Sequence, residues 1–412
     1  MKKNVIVAQS GGPTTAINAS LAGVINAAVR SEKYDKVYGA LHGIQGVFKR
    51  EFLELSDMDD ATYPSVDLLR NSPAMYLGSC RYKMPSFEEK PEVYEGIFKT
   101  FEDMNVGAFF YIGGNDSMDT AAKLSAYAKS IESDIMIAGV PKTIDNDIVL
   151  TDHTPGYGSA AKYIAATMLE IAHDTYIYDL PCVTIVEIMG RDAGWLTAAA
   201  ALARNTYNRT PQLIYLPEVP FEIDQFLTDL KEELKKSNNV VIAVSEGIRD
   251  KNGEYVSAGV AKNDQFGHAQ LSGAGKALET VVKKELGIKC RSIELNILQR
   301  CAAHLASRTD LEEAMKLGET AVRMTEEGRT GFVPTIKRKS DIPYLYDIVP
   351  EDVSLIANSA KSVPLEWITG SHNDVTKEMV DYIRPLIRGE VSVSFRDGLP
   401  VYIQIPHLTD RT

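Results

Sequence analysis

Residues 108 to 119 read Ala-Phe-Phe-Tyr-Ile-Gly-Gly-Asn-Asp-Ser-Met-Asp. The apolar run Ala108 to Ile112 reads as a buried strand, and the alanine-bearing stretch Ser117 to Ser130 reads as a helix. Paired glycines at such a junction let the backbone turn and open N–H groups to an anion, while the following carboxylates suit a hard cation. The same order recurs: Asn4 to Ala8 precedes Ala16 to Arg30, Cys182 to Ile188 precedes Gly194 to Leu202, and Asp134 to Val140 and Val240 to Val244 supply further apolar runs.

That alternation predicts an α/β fold: two Rossmann-like three-layer units with mainly parallel sheets, helices on both faces, and an active site in the cleft between them. Ligands in such sheets gather beyond the carboxyl ends of the strands, where several of these runs end in Gly, Ser or Asp. The pattern restarts near Asp152 to Gly158. The expected units are therefore residues 1–154 with about 300–412, and about 155–299. The tail carries a helical pattern at Asp374 to Ile387 and a hairpin at Glu390 to Pro406 turning near Asp397-Gly398, with a packing role.

Composition narrows the function classes. A chain of 412 residues, 44% hydrophobic and 24% charged, is long enough for two or three units with ample cores. Forty-four basic against 56 acidic residues give a net charge of −12, which argues against nucleic-acid and anionic-membrane partners. Cys80, Cys182, Cys290 and Cys301 form no C-x-x-C pair or zinc spacing, so reduced thiols in a cytosolic protein are expected. The opening apolar run is too short for a signal peptide or membrane span and reads as the first strand.

An anionic ligand on an acidic protein needs a local positive site. Ser10-Gly11-Gly12-Pro13 joins a strand to a helix, whose free N–H groups and dipole attract anions, although glycines also serve plain turns. Leu77-Gly78-Ser79-Cys80-Arg81 is a second small-residue loop followed by a guanidinium. In Pro141-Lys142-Thr143-Ile144-Asp145-Asn146-Asp147, an extended chain would set Asp145 and Asp147 on one face with Thr143. A helix cap or solvated turn is the bland alternative for that row. Met189-Gly190-Arg191 and Ser245-Glu246-Gly247 end two further strands. Arg291 and Arg300, nine residues apart, would take opposite faces of one helix, so a strand-to-helix break or a subunit boundary should separate them.

Together these motifs resemble the phosphofructokinases, specifically the pyrophosphate-dependent branch, over about residues 4 to 305. The resemblance implies Mg²⁺-dependent, reversible transfer from pyrophosphate to fructose 6-phosphate in a homodimer or homotetramer; some relatives also accept sedoheptulose 7-phosphate. It makes Asp145 the general base for the sugar's 1-hydroxyl, with Asp147 in support and Thr143, Ile144, Met189, Gly190, Arg191 and Glu246 around the sugar. Gly11, Gly12, Lys142 and Arg81 face the moving phosphoryl group, and Arg291 and Arg300 grip the 6-phosphate, Arg291 by reaching a neighbouring subunit's site. Asn115 stands where the family's usual aspartate binds Mg²⁺, which shifts the main ligand to Asp116. ATP-using members carry glycine at the positions of Asp116 and Lys142. A carboxylate at 116 would repel a nucleotide's α-phosphate by ~1 to 4 kcal/mol, roughly 5- to 1,000-fold in affinity. Two further departures are Ile297 in place of a sugar-binding histidine and Cys182 in place of a bridging arginine. The rivals are an ATP-dependent phosphofructokinase and a non-catalytic regulatory subunit of the same fold.

Overall fold

The computed structural model describes residues 2–58, 65–177, 179–257, 262–263, 269–270 and 273–405. The chain divides into unit 1, Met1–Ser159 with Arg300–Ala360 and Arg388–Thr412, and unit 2, Ala160–Gln299 with Lys361–Ile387. The first boundary falls five residues beyond the expected 154. Residues 361–387, expected with unit 1, belong to unit 2. There Arg204 binds both carboxylate oxygens of Asp374 at 2.8 and 2.9 Å, and Trp195 packs against Trp367 and Tyr382.

Unit 1 is built on β1 (Lys3–Gln9), β2 (Tyr34–Ala40), β3 (Phe52–Glu54), β4 (Val106–Gly113) and β5 (Met136–Pro141). Val5 and Val7 enter one core and Ile6 and Ala8 the other, as period-two side chains must when helices cover both faces. Strand β1 lies between β2 and β4, parallel to both. The chain leaves β1 toward β2 and leaves β4 toward β5, so the β1/β4 junction is a topological switch point, where ligands of open α/β sheets bind. Both glycine loops, 10–13 and 113–114, open from this junction.

Unit 2 holds β6 (Cys182–Ile188), β7 (Leu213–Tyr215), β8 (Asn239–Ser245), the two-residue ladder β9 (Lys262–Asn263) and β10 (Ala269–Gln270), and β11 (Lys289–Glu294). Its four-stranded sheet runs β11-β6-β8-β7, every neighbouring pair parallel.

The chain then adds β12 (Phe332–Asp341) and β13 (Tyr344–Asp352) to the β5 edge of the first sheet as an antiparallel hairpin. Sequence reading misses this hairpin because Pro334 and Pro350 interrupt it. The two prolines face each other in the register, sharing one rung of the ladder. The tail helix is confined to Lys377–Ile383 with a 3-10 turn over Arg384–Ile387, and the expected last hairpin pairs Phe395–Arg396 with Leu399–Pro400; its far end, from residue 406, lies outside the described residues. No described helix is long and apolar enough to cross a membrane.

Candidate active site

The loop Ser10-Gly11-Gly12-Pro13 is wired through its carbonyls. Lys142 is 1% exposed, and its Nζ donates to Ser10 O at 3.0 Å and Gly12 O at 2.6 Å. Ser79 Oγ donates to Gly11 O at 2.7 Å. With three successive carbonyls tied down, the amides of Gly11 and Gly12 have no acceptor among the described residues. Gly11 reaches this shape at φ +81°, a conformation that side-chain-bearing residues rarely adopt. Burial pulls Lys142 down from the usual ammonium value to about 7; the Asp145 charge raises it and the Arg300 charge lowers it further. The Ser79 bond lays the 78–81 loop against Gly11, leaving the Arg81 side chain exposed next in sequence.

Gly114 caps the helix Asn115–Ser130, so Asn115 and Asp116 stand in its first turn. Asn115 Nδ2 donates to Asp147 Oδ2 at 2.9 Å, and its Oδ1 is buried with no hydrogen-bond partner. An unspent, uncharged oxygen beside an exposed carboxylate at Asp116 fits an oxygen-loving cation that keeps several waters and phosphate ligands, as Mg²⁺ does. Among the described residues no group of three His, Cys, Asp or Glu side chains could hold a metal by protein ligands alone. Substrate oxygens would complete the shell.

Thr143, Asp145 and Asp147 are half-buried while Ile144, Asn146 and Ile148 are buried, the alternation expected of an extended run. The path itself is not a plain strand. Asn146 takes φ +54°, and its buried Oδ1 accepts from Thr154 N at 3.0 Å. The Asp145 amide donates to Thr143 Oγ1 at 3.1 Å, and that hydroxyl lies 3.3 Å from Asp145 Oδ2, which fixes the carboxylate's orientation. An aspartate held by neighbours of its own segment, beside a buried lysine, is placed to accept a hydroxyl proton.

In unit 2, Glu246 Oε1 accepts from Gly190 N at 3.3 Å, and Met189 N donates to Gln299 Oε1 at 3.4 Å. Gly190 takes φ +135°, and Ser245 Oγ donates to its carbonyl at 2.6 Å. Thus Met189, Gly190, Arg191 and Glu246 meet at the ends of β6 and β8 as expected. Nε of Arg191 is buried without an acceptor, and so is Nε of Arg300. A buried guanidinium donor left unspent is costly unless an anion arrives.

Arg291 and Arg300 stand on different elements, as their spacing requires. The break between them is there: Arg291 lies on β11 and Arg300 ends a 3-10 turn, Asn296–Arg300. Arg291 donates to Thr184 Oγ1 at 3.2 Å and forms an ion pair with Asp174. Arg300 belongs to unit 1, where Nη1 stands 3.5 Å from the point a Cβ on Gly12 would occupy. Its neighbours include Gly12, Thr15 and Lys142. Sequence reading missed Ser79, Asn146 and Gln299, common polar residues whose bracing roles carry no motif; the αL tolerance of asparagine inside Asp-Asn-Asp was the one available hint.

Comparison with known proteins agrees with this geometry. Residues 4–325 match the family model described as phosphofructokinase. The chain is 41% identical over 408 residues to pyrophosphate--fructose 6-phosphate 1-phosphotransferase of Xanthomonas campestris pv. campestris (strain B100), covering 98% of this chain and 96% of that protein. It is 36% identical to the enzyme of that name from Methylococcus capsulatus, covering 98% and 96%. The crystal structure of pyrophosphate-dependent phosphofructokinase from Nitrosospira multiformis superposes with a TM-score of 0.87 at 35% identity, covering 97% of this chain and 96% of that one.

Proposed function

The chain belongs to the phosphofructokinase family, and we propose that it transfers a phosphoryl group reversibly between pyrophosphate and the 1-hydroxyl of fructose 6-phosphate, giving fructose 1,6-bisphosphate and phosphate. The observation that carries the donor assignment is Lys142: a buried ammonium whose Nζ holds the carbonyls of Ser10 and Gly12 and so presents the loop amides to a short anion. Asp116, in the first helical turn, stands where ATP-using relatives keep space for a nucleotide.

Asp145 takes the proton from the sugar's 1-hydroxyl as its oxygen attacks the terminal phosphorus. The bridging P–O bond breaks, and orthophosphate leaves with the electron pair. Thr143 orients Asp145, and Asn115 holds Asp147 beside it. The amides of Gly11 and Gly12, Lys142 and Arg81 stabilise the charge spread over the moving group. Asn115 Oδ1 and the Asp116 carboxylate would hold Mg²⁺, which would supply charge neutralisation at the donor. Met189, Gly190, Arg191 and Glu246 are assigned to the sugar, and Arg191 and Arg300, each with an unspent Nε, to phosphate oxygens. Four free thiols, three of them buried, support a reducing, cytosolic setting. A homodimer or homotetramer is expected by family likeness.

Initial rates with pyrophosphate and with ATP, at one concentration of fructose 6-phosphate and Mg²⁺, test the reading. Turnover with pyrophosphate is expected; strong ATP turnover with none from pyrophosphate would overturn the donor assignment. Sedoheptulose 7-phosphate as acceptor in the same assay would define the sugar range.

A further inference from the structure

Hydrogen-bonded to the Thr143–Asp147 segment is a stretch of chain that ends in a buried ionic group the transfer chemistry does not use. His153 is 1% exposed. Its Nδ1 lies 2.8 Å from Asp152 Oδ1 and its Nε2 lies 2.6 Å from Glu313 Oε2. Two carboxylate partners require both ring nitrogens to be donors, which makes the ring an imidazolium. Burial pulls its pKa down, but the Glu313 and Asp152 charges and hydrogen bonds outweigh that and hold it near 9. The carboxylates are themselves held. Tyr344 OH donates to Glu313 Oε1 at 2.6 Å, and Arg338 donates to Asp152 Oδ1 from Nε at 3.0 Å and Nη2 at 2.8 Å. Arg338 Nη1 also donates to Asp341 Oδ1 at 2.8 Å, so every charge of the clamp is paired.

Such a group adds little net stability over an apolar core, yet removing one partner is disruptive, so its best-attested use is to specify position. What it positions is on the same strand of chain. Thr154 N donates to Asn146 Oδ1 at 3.0 Å, Thr143 N donates to Pro155 O at 3.1 Å, and Gly156 N donates to Asp310 Oδ1 at 2.8 Å. Asp310 and Glu313 sit one turn apart on the buried face of the helix Arg308–Glu326. That helix is seated hard against the helix Ile17–Val29: a Cβ on Gly23 would meet Met315 O at 2.0 Å, and one on Gly318 would meet Ser20 O at 2.3 Å. The anchor is therefore rigid.

We propose that His153 is a positioning residue for Asp145: clamped between Asp152 and Glu313, it pins residues 152–156 to the helix Arg308–Glu326, and those residues, through Thr143 and Asn146, set where the Asp145 and Asp147 carboxylates stand. The inference rests on the reading of Asp145 as the base. A carboxylate displaced by a fraction of an ångström from its hydroxyl loses rate without losing substrate, because the binding groups on Gly11, Gly12 and Lys142 are untouched.

The test uses full-length His153→Gln, Glu313→Gln and Tyr344→Phe, with two readouts. In steady-state kinetics His153→Gln is expected to lower kcat by about 10- to 100-fold while KM for pyrophosphate and fructose 6-phosphate stays within about threefold. Glu313→Gln, isosteric and uncharged, should lie between it and wild type, and Tyr344→Phe should lose least. In amide hydrogen exchange, Thr143 and Thr154 should exchange faster in the order of the kcat losses. Were His153→Gln to misfold, the other two variants carry the same comparison. A kcat per folded molecule within twofold of wild type, or unchanged exchange at Thr143 and Thr154, would overturn the proposal. Asp145→Asn in the same assay separates the two readings. If it stays active, the base assignment fails, and exchange alone then decides whether His153 fixes the segment.

Discussion

The candidate site residues of unit 1 and those of unit 2 are held differently. In unit 1 the groups assigned to the donor and to proton transfer are held from behind: three loop carbonyls by Lys142 and Ser79, Asp147 by Asn115, Asp145 by Thr143, Asn146 by Thr154. In unit 2 the corresponding charges are either unspent, as Nε of Arg191, or engaged locally, as Arg291 with Asp174. Phosphoryl transfer asks for fixed dipoles where charge develops, and dipoles fixed before substrate arrives cost nothing to reorganise during reaction. Recognition of a sugar phosphate tolerates side chains that move onto it. The contrast therefore divides chemistry from grip, and single substitutions in the two halves should fail in different kinetic constants.

The largest effect belongs to the base. Asp145→Asn should cut kcat by about 10³-fold with little change in either KM, as removal of a positioned general base does. A loss below tenfold would place the base elsewhere. Next comes Lys142→Met, which removes both the charge and the brace on the loop. We expect kcat/KM for pyrophosphate to fall by about 10²-fold or more, with KM for fructose 6-phosphate little altered. An effect confined to the sugar would dissolve the division between the halves.

The same lysine makes a proton-linked prediction. Its pKa in the fold is about 7 against 10.5 ordinarily, so between those values the unfolded chain holds the extra proton. Burying Lys142 therefore costs stability in full below about pH 7, and that cost fades as pH rises toward 10.5. Pyrophosphate favours the ammonium, so binding at pH 8 should take up a proton, seen calorimetrically as a buffer-dependent heat that Lys142→Met abolishes. Buffer-independent binding would show that the lysine is not near the donor. His153 acts with the opposite sign over much the same range. Its pKa is raised from 6.5 to about 9, so its contribution is present below about pH 6.5 and lost as pH climbs through 9. Thermal melts of the single variants across pH 6 to 10 should therefore diverge in opposite directions.

The smallest effect is expected at Arg291. Its ion pair with Asp174 is half-exposed, so Arg291→Ala should change stability by less than about 1 kcal/mol. If the Asp174 bond spends that charge, KM for fructose 6-phosphate will move by no more than about threefold, since a rim charge contributes little. A tenfold or larger rise would return Arg291 to the 6-phosphate, as family likeness suggests, with Asp174 as a resting partner.

The legible parts of the chain were those where one physical rule dominates a short stretch. Burial on both faces makes Cys182–Ile188 and Asn4–Ala8 unmistakable strands, and Gly-Gly between a strand and a helix marks the anion loops. The hairpin Phe332–Asp352 was hidden because its prolines contradict strand propensity and only the register between two distant residues, Pro334 and Pro350, reconciles them. The candidate site was legible in Asp145 and Lys142, whose types are unusual where they stand. Its bracing was not: Ser79, Asn146, Thr154 and His153 act through hydrogen bonds that chain folding alone creates. That Arg300 packs beside Gly12 was not legible, because the two lie far apart in the sequence and only folding brings them together.

Asp116 and Lys142 in unit 1 are assigned the choice of a short donor, and the ratio of kcat/KM for pyrophosphate to that for ATP reads that choice. In wild type the ratio should greatly favour pyrophosphate. In Asp116→Gly, ATP use should rise by roughly 5- to 1,000-fold, the repulsion removed at one carboxylate, while pyrophosphate use declines or holds. A wild-type ratio near or below one, or a ratio indifferent to Asp116→Gly, would mean that these two side chains do not select the donor.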